Sequence, residues 1–217
     1  MIPNDILAVP SPFGPTIDVS DVLPIIDHPR FQLLDGKLQT GLLCRTYRAA
    51  RHTRFEHSVG TFDIARRIAR QLELDEKTQR AIAAYGLLHD IAHAPFSHNL
   101  ETLIHDDHDA VAHIIIQDMA DVIHASGADP GLVADIAAGE HPDLRATIKH
   151  KVIGADKLDY LFRDAHHIDG LATPPVTKLV QHMGWGPGIM VSERIIDDVE
   201  FTQVIYYQSH QRYYYRK

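Results

Sequence analysis

The 217 residues carry 29 acidic and 21 basic side chains for a formal net charge of −8, with 45% hydrophobic and 23% charged residues. That is ordinary globular composition for one domain, and it argues against disorder, a fibrous repeat or a dedicated nucleic-acid binder, which would need a basic surface to neutralise phosphates. The single Cys44 excludes an internal disulfide and a cysteine-type zinc site, so any metal must be held by histidine and carboxylate.

Along the chain, Pro3, Pro10, Pro12, Pro15 and Pro24 come first. They remove backbone donors and block regular helix. Residues 1–21 therefore read as an N-terminal arm, and 22–217 as the domain proper. Arg45, Arg48, Arg51, His52 and Arg54 form a basic cluster dense enough to hold a compact polyanion such as a nucleotide's phosphates. The plain alternative for that cluster is a solvated loop. Phe55, Val59, Phe62, Ile64, Ala65, Ile68, Ala69 and Leu72 then recur near a 3.6-residue period, which predicts an amphipathic helix. Asp75 caps a second helix running through Ile82, Tyr85, Leu87 and Leu88 to His89 and Asp90, with Pro95 closing the helical stretch. Further helices are expected over about 107–125, 130–139, 143–153, 155–168 and 197–215. Lys178–Trp185 and Ile189–Glu193, separated by Gly186, Pro187 and Gly188, predict a short hairpin. The fold class is mostly α. The longest apolar runs, such as Ile114–Ile116, fall far short of the ~20 residues that cross a bilayer, and a signal-peptide pattern is missing. Cytoplasm is the expected compartment, with no membrane partner.

Sixteen histidines are many for this length, and His89, His93, His98, His105, His108 and His113 crowd into one segment. A His followed directly by Asp can give a divalent ion two ligands, provided other helices supply the rest. His89 and Asp90 are such a pair. His57 in RFEHSVG and Asp156 in ADKLDY are suitable further donors, each on a predicted helix with apolar positions to dock it. Tyr85, Phe96, Leu158, Leu161 and Phe162 read as core. His105, His113, His124 and His141 read as solvated, Arg66, Arg67 and Arg70 as an exposed helix face, and Tyr206 and Tyr207 as packing or subunit contact.

RFEHSVG, LLHDIAHAPFSH and DKLDYLFRDAHH, in that order and spacing, resemble the HD superfamily, specifically its deoxynucleoside triphosphate triphosphohydrolases. The resemblance runs from about Val22 to Ile168 and extends to the hairpin and Tyr-rich helix. It implies an HD-domain helical bundle with a small β-hairpin, acting on deoxynucleoside triphosphates to release deoxynucleoside and inorganic triphosphate. It implies that His57, His89, Asp90 and Asp156 bind a divalent ion, with iron, manganese, cobalt, zinc and magnesium all suited to the donor set. It implies catalytic roles around the α-phosphate and leaving 5′ oxygen for His93, His98, Glu101 and His108, with His98 as general acid because a histidine pKa lies near neutrality. The family commonly has Asp where Glu101 stands. Arg54 and Lys157 would contact phosphate or base, Tyr160 and Asp164 the sugar, and Gln39 would share the 3′-hydroxyl with Asp164.

Relatives of this type commonly continue past the Tyr-rich helix into a further lobe, so a minimal, unregulated enzyme that assembles as a homo-oligomer is the simplest expectation. The competing readings are another HD phosphohydrolase, such as a deoxynucleoside monophosphatase or cyclic-nucleotide phosphodiesterase, and a nucleotide-binding HD module without turnover.

Overall fold

A computed structural model of the chain describes residues 8–11, 14–93, 108–168, 173–186 and 188–214. The first segment is not helical but neither is it irregular: strands β1 (Ala8–Ser11) and β2 (Gly14–Asp18) form an antiparallel hairpin with Val9 opposite Ile17. Ile17 and Val19 are buried in the main core, so part of what the sequence reads as an arm is anchored by apolar burial. Two single-turn helices follow, α1 (Leu23–Ile26) and α2 (Pro29–Gln32), each with proline in its first turn, where a missing N–H costs nothing.

Helix α3 (Arg54–Gln71) is the axis of the domain. Thr53 and Glu56 close a capping box at its start: the Thr53 hydroxyl accepts from the Glu56 amide at 3.3 Å, and the Glu56 carboxylate accepts from the Thr53 amide at 2.7 Å. Helix α4 (Glu76–Leu88) is N-capped by Asp75, as its sequence predicts, and passes into a turn at His89. Gly86 permits its close approach to α3, since a Cβ there would meet the Ala65 Cβ at 2.9 Å. Ile64, Ile68, Ile82, Leu87 and Leu88 on these two helices are fully buried in the core, each such aliphatic side chain contributing about 1.5–3 kcal/mol.

The helix expected over 107–125 is two, α5 (His108–Asp118) and α6 (Ala120–Ala125). Met119 between them leaves helical geometry, with φ −94 and ψ 13, while its side chain stays buried in the core. Helix α7 (Pro130–Ala138) ends on Gly139 at φ +89, the left-handed cap that glycine adopts without cost. Helix α8 (Pro142–Lys149) stops short of the expected 153. His150 turns to extended backbone there, and its Nδ1 accepts from the amides of Val152 at 3.2 Å and Ile153 at 3.3 Å, a local alternative to helical hydrogen bonds.

Helix α9 (Ala155–Ile168) packs across α3 and carries the remaining site residues. The predicted hairpin exists but is shorter. Val176, Leu179 and Val180 have helical spacing and are buried in helix α10 (Val176–Gln181), leaving β3 (Met183–Gly186) and β4 (Gly188–Val191) as the paired strands. Helix α11 (Ile196–Ser209) closes the described chain with a π-helical turn over His210–Tyr214. The mostly helical reading with a small two-stranded sheet therefore holds, with a second hairpin at the N-terminal end.

Candidate metal centre

Helix α3 presents His57 in its first turn, the end of α4 presents His89 and Asp90, and the first turn of α9 presents Asp156. His57 Nε2 lies 3.2 Å from His89 Nε2 and 3.2 Å from Asp156 Oδ1. Asp90 Oδ1 lies 3.3 Å from His89 Nε2, and its Oδ2 lies 3.6 Å from His57 Nε2. Both imidazoles are fully buried, and Asp90 nearly so.

The other nitrogens of the two rings reveal what faces this space. His89 Nδ1 lies 2.8 Å from the Gly86 carbonyl, and His57 Nδ1 lies 2.8 Å from Asp159 Oδ2. A carbonyl only accepts, so His89 Nδ1 must carry its hydrogen and donate. Burial pushes the Asp159 carboxyl up, but Arg163 and His57 outweigh it and hold the group ionised, so His57 Nδ1 donates as well. Neutral imidazoles protonated at Nδ1 direct Nε2 lone pairs inward, beside two carboxylates. With both rings neutral, the acceptors of His57, His89 and Asp90 face one another, with Asp156 Oδ1 beside the two histidines, and no hydrogen lies among them, an arrangement suited to a cation.

Their separations suit one. Ligand atoms about 2.1 Å from a common ion stand roughly 3.0–3.4 Å apart, close to the distances observed. His57, His89 and Asp90 could hold a metal ion as a group, and Asp156 Oδ1 faces the same space. The ion-free protein uses a proton instead: burial lowers the His57 pKa, but its bonds to Asp156 and Asp159 raise it to about 9, against the usual 6.5. The sign follows. That second proton stabilises the ion-free fold fully below pH 6.5 and is withdrawn as pH rises through about 9. A metal must displace it at lower pH, so metal affinity is expected to rise by up to about tenfold per pH unit toward 9 and then level. Titrations of metal-free protein at several pH values check this, and a pH-independent affinity would contradict it.

Around the four acceptors lies a shell of charge. Arg54, only 2% exposed, donates from Nη1 to Asp90 Oδ2. A cation at a helix N-terminus opposes the helix dipole, and Asp90 compensates it. His93 Nε2 is 3.3 Å from Asp90 Oδ1. Burial would raise the Asp90 pKa, but His89, His93 and Arg54 carry it well below the usual carboxylate value. Asp159 accepts from Arg163 through both oxygens at 2.9 and 2.8 Å as well as from His57. Gly60 makes room for this pair, since a Cβ there would lie 1.9 Å from Asp159 Oδ1 and 2.2 Å from Arg163 Nη2. Sequence reasoning missed Asp159, although its three-residue spacing from Asp156 and four-residue spacing to Arg163 were legible signals.

The predicted substrate residues are distributed around this centre. Lys157 donates to the Lys151 carbonyl and lies over the Tyr206 ring, 3.5 Å from its centroid. Burial pushes the Tyr160 phenol up, with Asp156, Tyr206 and Asp164 adding to it, so the four groups share one neighbourhood. Asp164 pairs with His52, its Oδ1 2.7 Å from His52 Nε2 with both side chains buried, and the His52 ring stacks on His167 at 4.7 Å. Gln39 lies in the segment that pairs with residues 52–54, its amide donating to the His52 carbonyl at 3.0 Å. The basic cluster divides. His52 and Arg54 turn inward, whereas Arg45, Arg48 and Arg51 line a separate groove of about 440 Å³ with Lys37. His98 and Glu101 lie outside the described residues; His108 is the first residue of α5, and the role read for its side chain lies outside them too. Of the histidines read as solvated, His124 and His141 are exposed, His113 is half-buried with Nδ1 3.1 Å from the Ala134 carbonyl, and His105 falls outside the described residues.

The HD domain family model matches residues 54–182, the stretch that carries the buried His-His-Asp cluster. The chain belongs to the HD-domain family. Among curated relatives it is similar to an uncharacterized protein of Methanocaldococcus jannaschii, 39% identical over 145 residues, covering 67% of this chain and 30% of the relative. It is 33% identical over 153 residues to the uncharacterized protein YwfO of Bacillus subtilis, covering 66% and 35%. It is 30% identical over 171 residues to the deoxynucleoside triphosphate triphosphohydrolase SAMHD1 homolog of Dictyostelium discoideum, covering 68% and 33%. The chain thus spans about a third of the length of these relatives. Among solved structures, a hypothetical protein from Aquifex aeolicus superposes with a TM-score of 0.85 at 27% identity, covering 97% of this chain and 60% of that one. A phosphohydrolase from Bacteroides thetaiotaomicron shares the fold with a TM-score of 0.83 at 24% identity, covering 94% and 54%. No helix among the described residues is long and apolar enough to cross a membrane.

Proposed function

We propose that this chain is a metal-dependent phosphohydrolase that converts deoxynucleoside triphosphates to deoxynucleoside and inorganic triphosphate. The observation that carries the reading is the inward-facing set of four acceptors on His57, His89, Asp90 and Asp156, joined on α9 by Lys157, Tyr160 and Asp164. The similarity to a relative named as a deoxynucleoside triphosphate triphosphohydrolase supports the choice of substrate. Residues 22–217 form the catalytic domain in this reading, with 1–21 as an arm.

The four residues would hold one divalent ion, and iron, manganese, cobalt, zinc or magnesium all fit a mixed imidazole and carboxylate set. When bound, it supplies charge neutralisation at the α-phosphate and acidifies the attacking water. Arg54 and Lys157 balance phosphate charge. His93 lines the α-phosphate, and His98, supported by Glu101 and His108, donates a proton to the leaving 5′ oxygen. Asp164 and Gln39 receive the 3′-hydroxyl, and Tyr160 forms the wall that leaves no space for a 2′-hydroxyl. In this scheme the His52–Asp164 pair orients the carboxylate.

Metal-loaded protein incubated with each of the four deoxynucleoside triphosphates is expected to accumulate intact triphosphate, identified by chromatography. Mainly diphosphate nucleotide and orthophosphate would sink the proposal. Deoxyadenosine triphosphate should outperform its dideoxy and ribo counterparts in kcat/KM. A lost 3′-hydroxyl strands buried polar groups at about 1–3 kcal/mol, roughly five- to 150-fold. Gln39→Ala should shrink that preference, and equal wild-type rates on all three sugars would refute the recognition scheme.

A further inference from the structure

Residues 150–154 join α8 to α9, and Asp156 stands in the first turn that follows. The connection is tightly built. Gly154 donates its amide to the His150 carbonyl at 3.3 Å, and a Cβ at Gly154 would lie 2.2 Å from the Ile148 carbonyl oxygen and 2.6 Å from the His150 amide nitrogen, so the approach requires glycine. Inside this turn the His150 Nδ1 accepts from the amides of Val152 and Ile153. A ring nitrogen that accepts carries no hydrogen, which fixes the neutral tautomer with its hydrogen on Nε2. Burial lowers the His150 pKa and the nearby Lys157 charge lowers it further. The ring therefore stays a neutral donor, and the turn makes no use of the hydrogen it donates.

Two ammonium groups share this neighbourhood. Lys157 donates to the Lys151 carbonyl and rests on the Tyr206 ring, which occupies two of its three hydrogens and leaves the third. Tyr206 is braced in turn by the His210 ring, 4.2 Å away between centroids. Lys149 ends α8. Burial would raise the Asp156 pKa, but the bonds from His57 and His89 and the charges of His89 and Lys149 hold it well below the usual carboxylate value, which places the Lys149 charge within reach of the metal centre. Lys149 also offsets the α8 dipole, and His150 also holds its turn, but neither role calls for the Nε2 hydrogen.

We propose that Lys149, His150 and Lys157 together seat the phosphates beyond the one at the metal, the β and γ groups of the triphosphate chain, with the His150 Nε2–H as a direct donor. The inference rests on the reading of the site as one that acts on a triphosphate, and it adds residues to it: neither Lys149 nor His150 belongs to the motifs that carry the family resemblance. It also meets a need of that reading. Arg54 already donates to Asp90, so Lys157 would otherwise face most of a multiply charged chain with a single hydrogen to spare. Hydrogen bonds to charged oxygens are the stronger kind, and two further donors supply them.

Calorimetric titration of inorganic triphosphate into the metal-loaded protein tests the seat without turnover, with inorganic orthophosphate as the comparison. His150→Asn separates the two uses of the ring, because the asparagine Oδ1 stands about where Nδ1 does and can accept from the same amides, while nothing replaces the Nε2 donor. It is expected to weaken triphosphate binding by about tenfold or more, with thermal unfolding and orthophosphate binding unchanged. Lys149→Gln should weaken triphosphate binding by about fivefold and flatten its dependence on salt. Wild-type triphosphate affinity in either variant, or an equal loss of triphosphate and orthophosphate in His150→Asn, would overturn the proposal. Failure of the underlying reading looks different: a wild type that binds triphosphate with these variant effects, yet leaves diphosphate nucleotide and orthophosphate as products, would sink the triphosphohydrolase reading and leave the seat standing.

Discussion

Asp90→Asn is expected to lose stoichiometric metal and to lower turnover by more than about a hundredfold, while the protein remains folded. Removing a residue that only orients a metal ligand typically costs about 10–100-fold in affinity or activity, and a direct ligand should cost more. Asp90 is the carboxylate nearest His89 and accepts from Arg54, and its charge is stabilised by three cationic or potentially cationic neighbours. The amide keeps an oxygen for the buried guanidinium, so the helix start is supported while the anionic ligand is gone. Metal content by elemental analysis, turnover, and far-UV circular dichroism measured together separate loss of chemistry from loss of fold. A folded variant with a full complement of metal and wild-type rates would remove Asp90 from the centre and with it the proposed ligand set.

Asp159→Ala should be the most destabilising single change near the site. The carboxylate is 0% exposed, accepts two hydrogen bonds from Arg163 and one from His57, and touches no predicted substrate group. Its removal leaves a buried arginine without its bidentate partner, which costs about 3–5 kcal/mol when one member of a buried pair is deleted. It also frees His57 to rotate and to carry its hydrogen on the other nitrogen, so whatever protein remains folded should bind metal more weakly by about 10–100-fold. Denaturant unfolding of the metal-free protein measures the first effect, and metal titration of the folded fraction the second. Asp159→Asn, which keeps an acceptor but not the charge, should fall between. Wild-type stability and wild-type metal affinity in the alanine variant would show that the Arg163–Asp159–His57 chain of hydrogen bonds supports neither.

Local patterns made much of the architecture legible. The 3.6-residue recurrence through Val59, Phe62, Ala65 and Ala69 predicts α3, and Asp75 predicts the start of α4, because periodic apolar burial and side-chain capping are set by neighbours within a few residues. Where a local signal was ambiguous, the structure chose differently. Proline in the first two dozen residues disfavours helix interiors but neither strands nor the first turn that Pro24 occupies in α1, and the pairing of Val9 with Ile17 decided for a hairpin. Val176, Leu179 and Val180 fit either a strand or a helix over so short a run, and their joint burial decided for a helix. His98 and Glu101 lie outside the described residues, so their roles rest on the sequence alone.

By itself, then, the sequence determined the helical class and the residue types able to hold a cation, since composition leaves histidine and carboxylate and the motifs put them on helices that must be buried. The tertiary structure alone decided which atoms face which. His57 meets Asp159 across 102 positions of chain, and His52 meets Asp164 across 112. No periodicity reaches that far. Charged residues on α9 look like a solvated face until the helix lies across α3 at Gly60, and only then do Asp159 and Arg163 become buried partners. The hydrogen bonds of Asp159 and of the Gly86 carbonyl in turn aim both histidine lone pairs inward, a direction set by packing between helices and absent from any one of them.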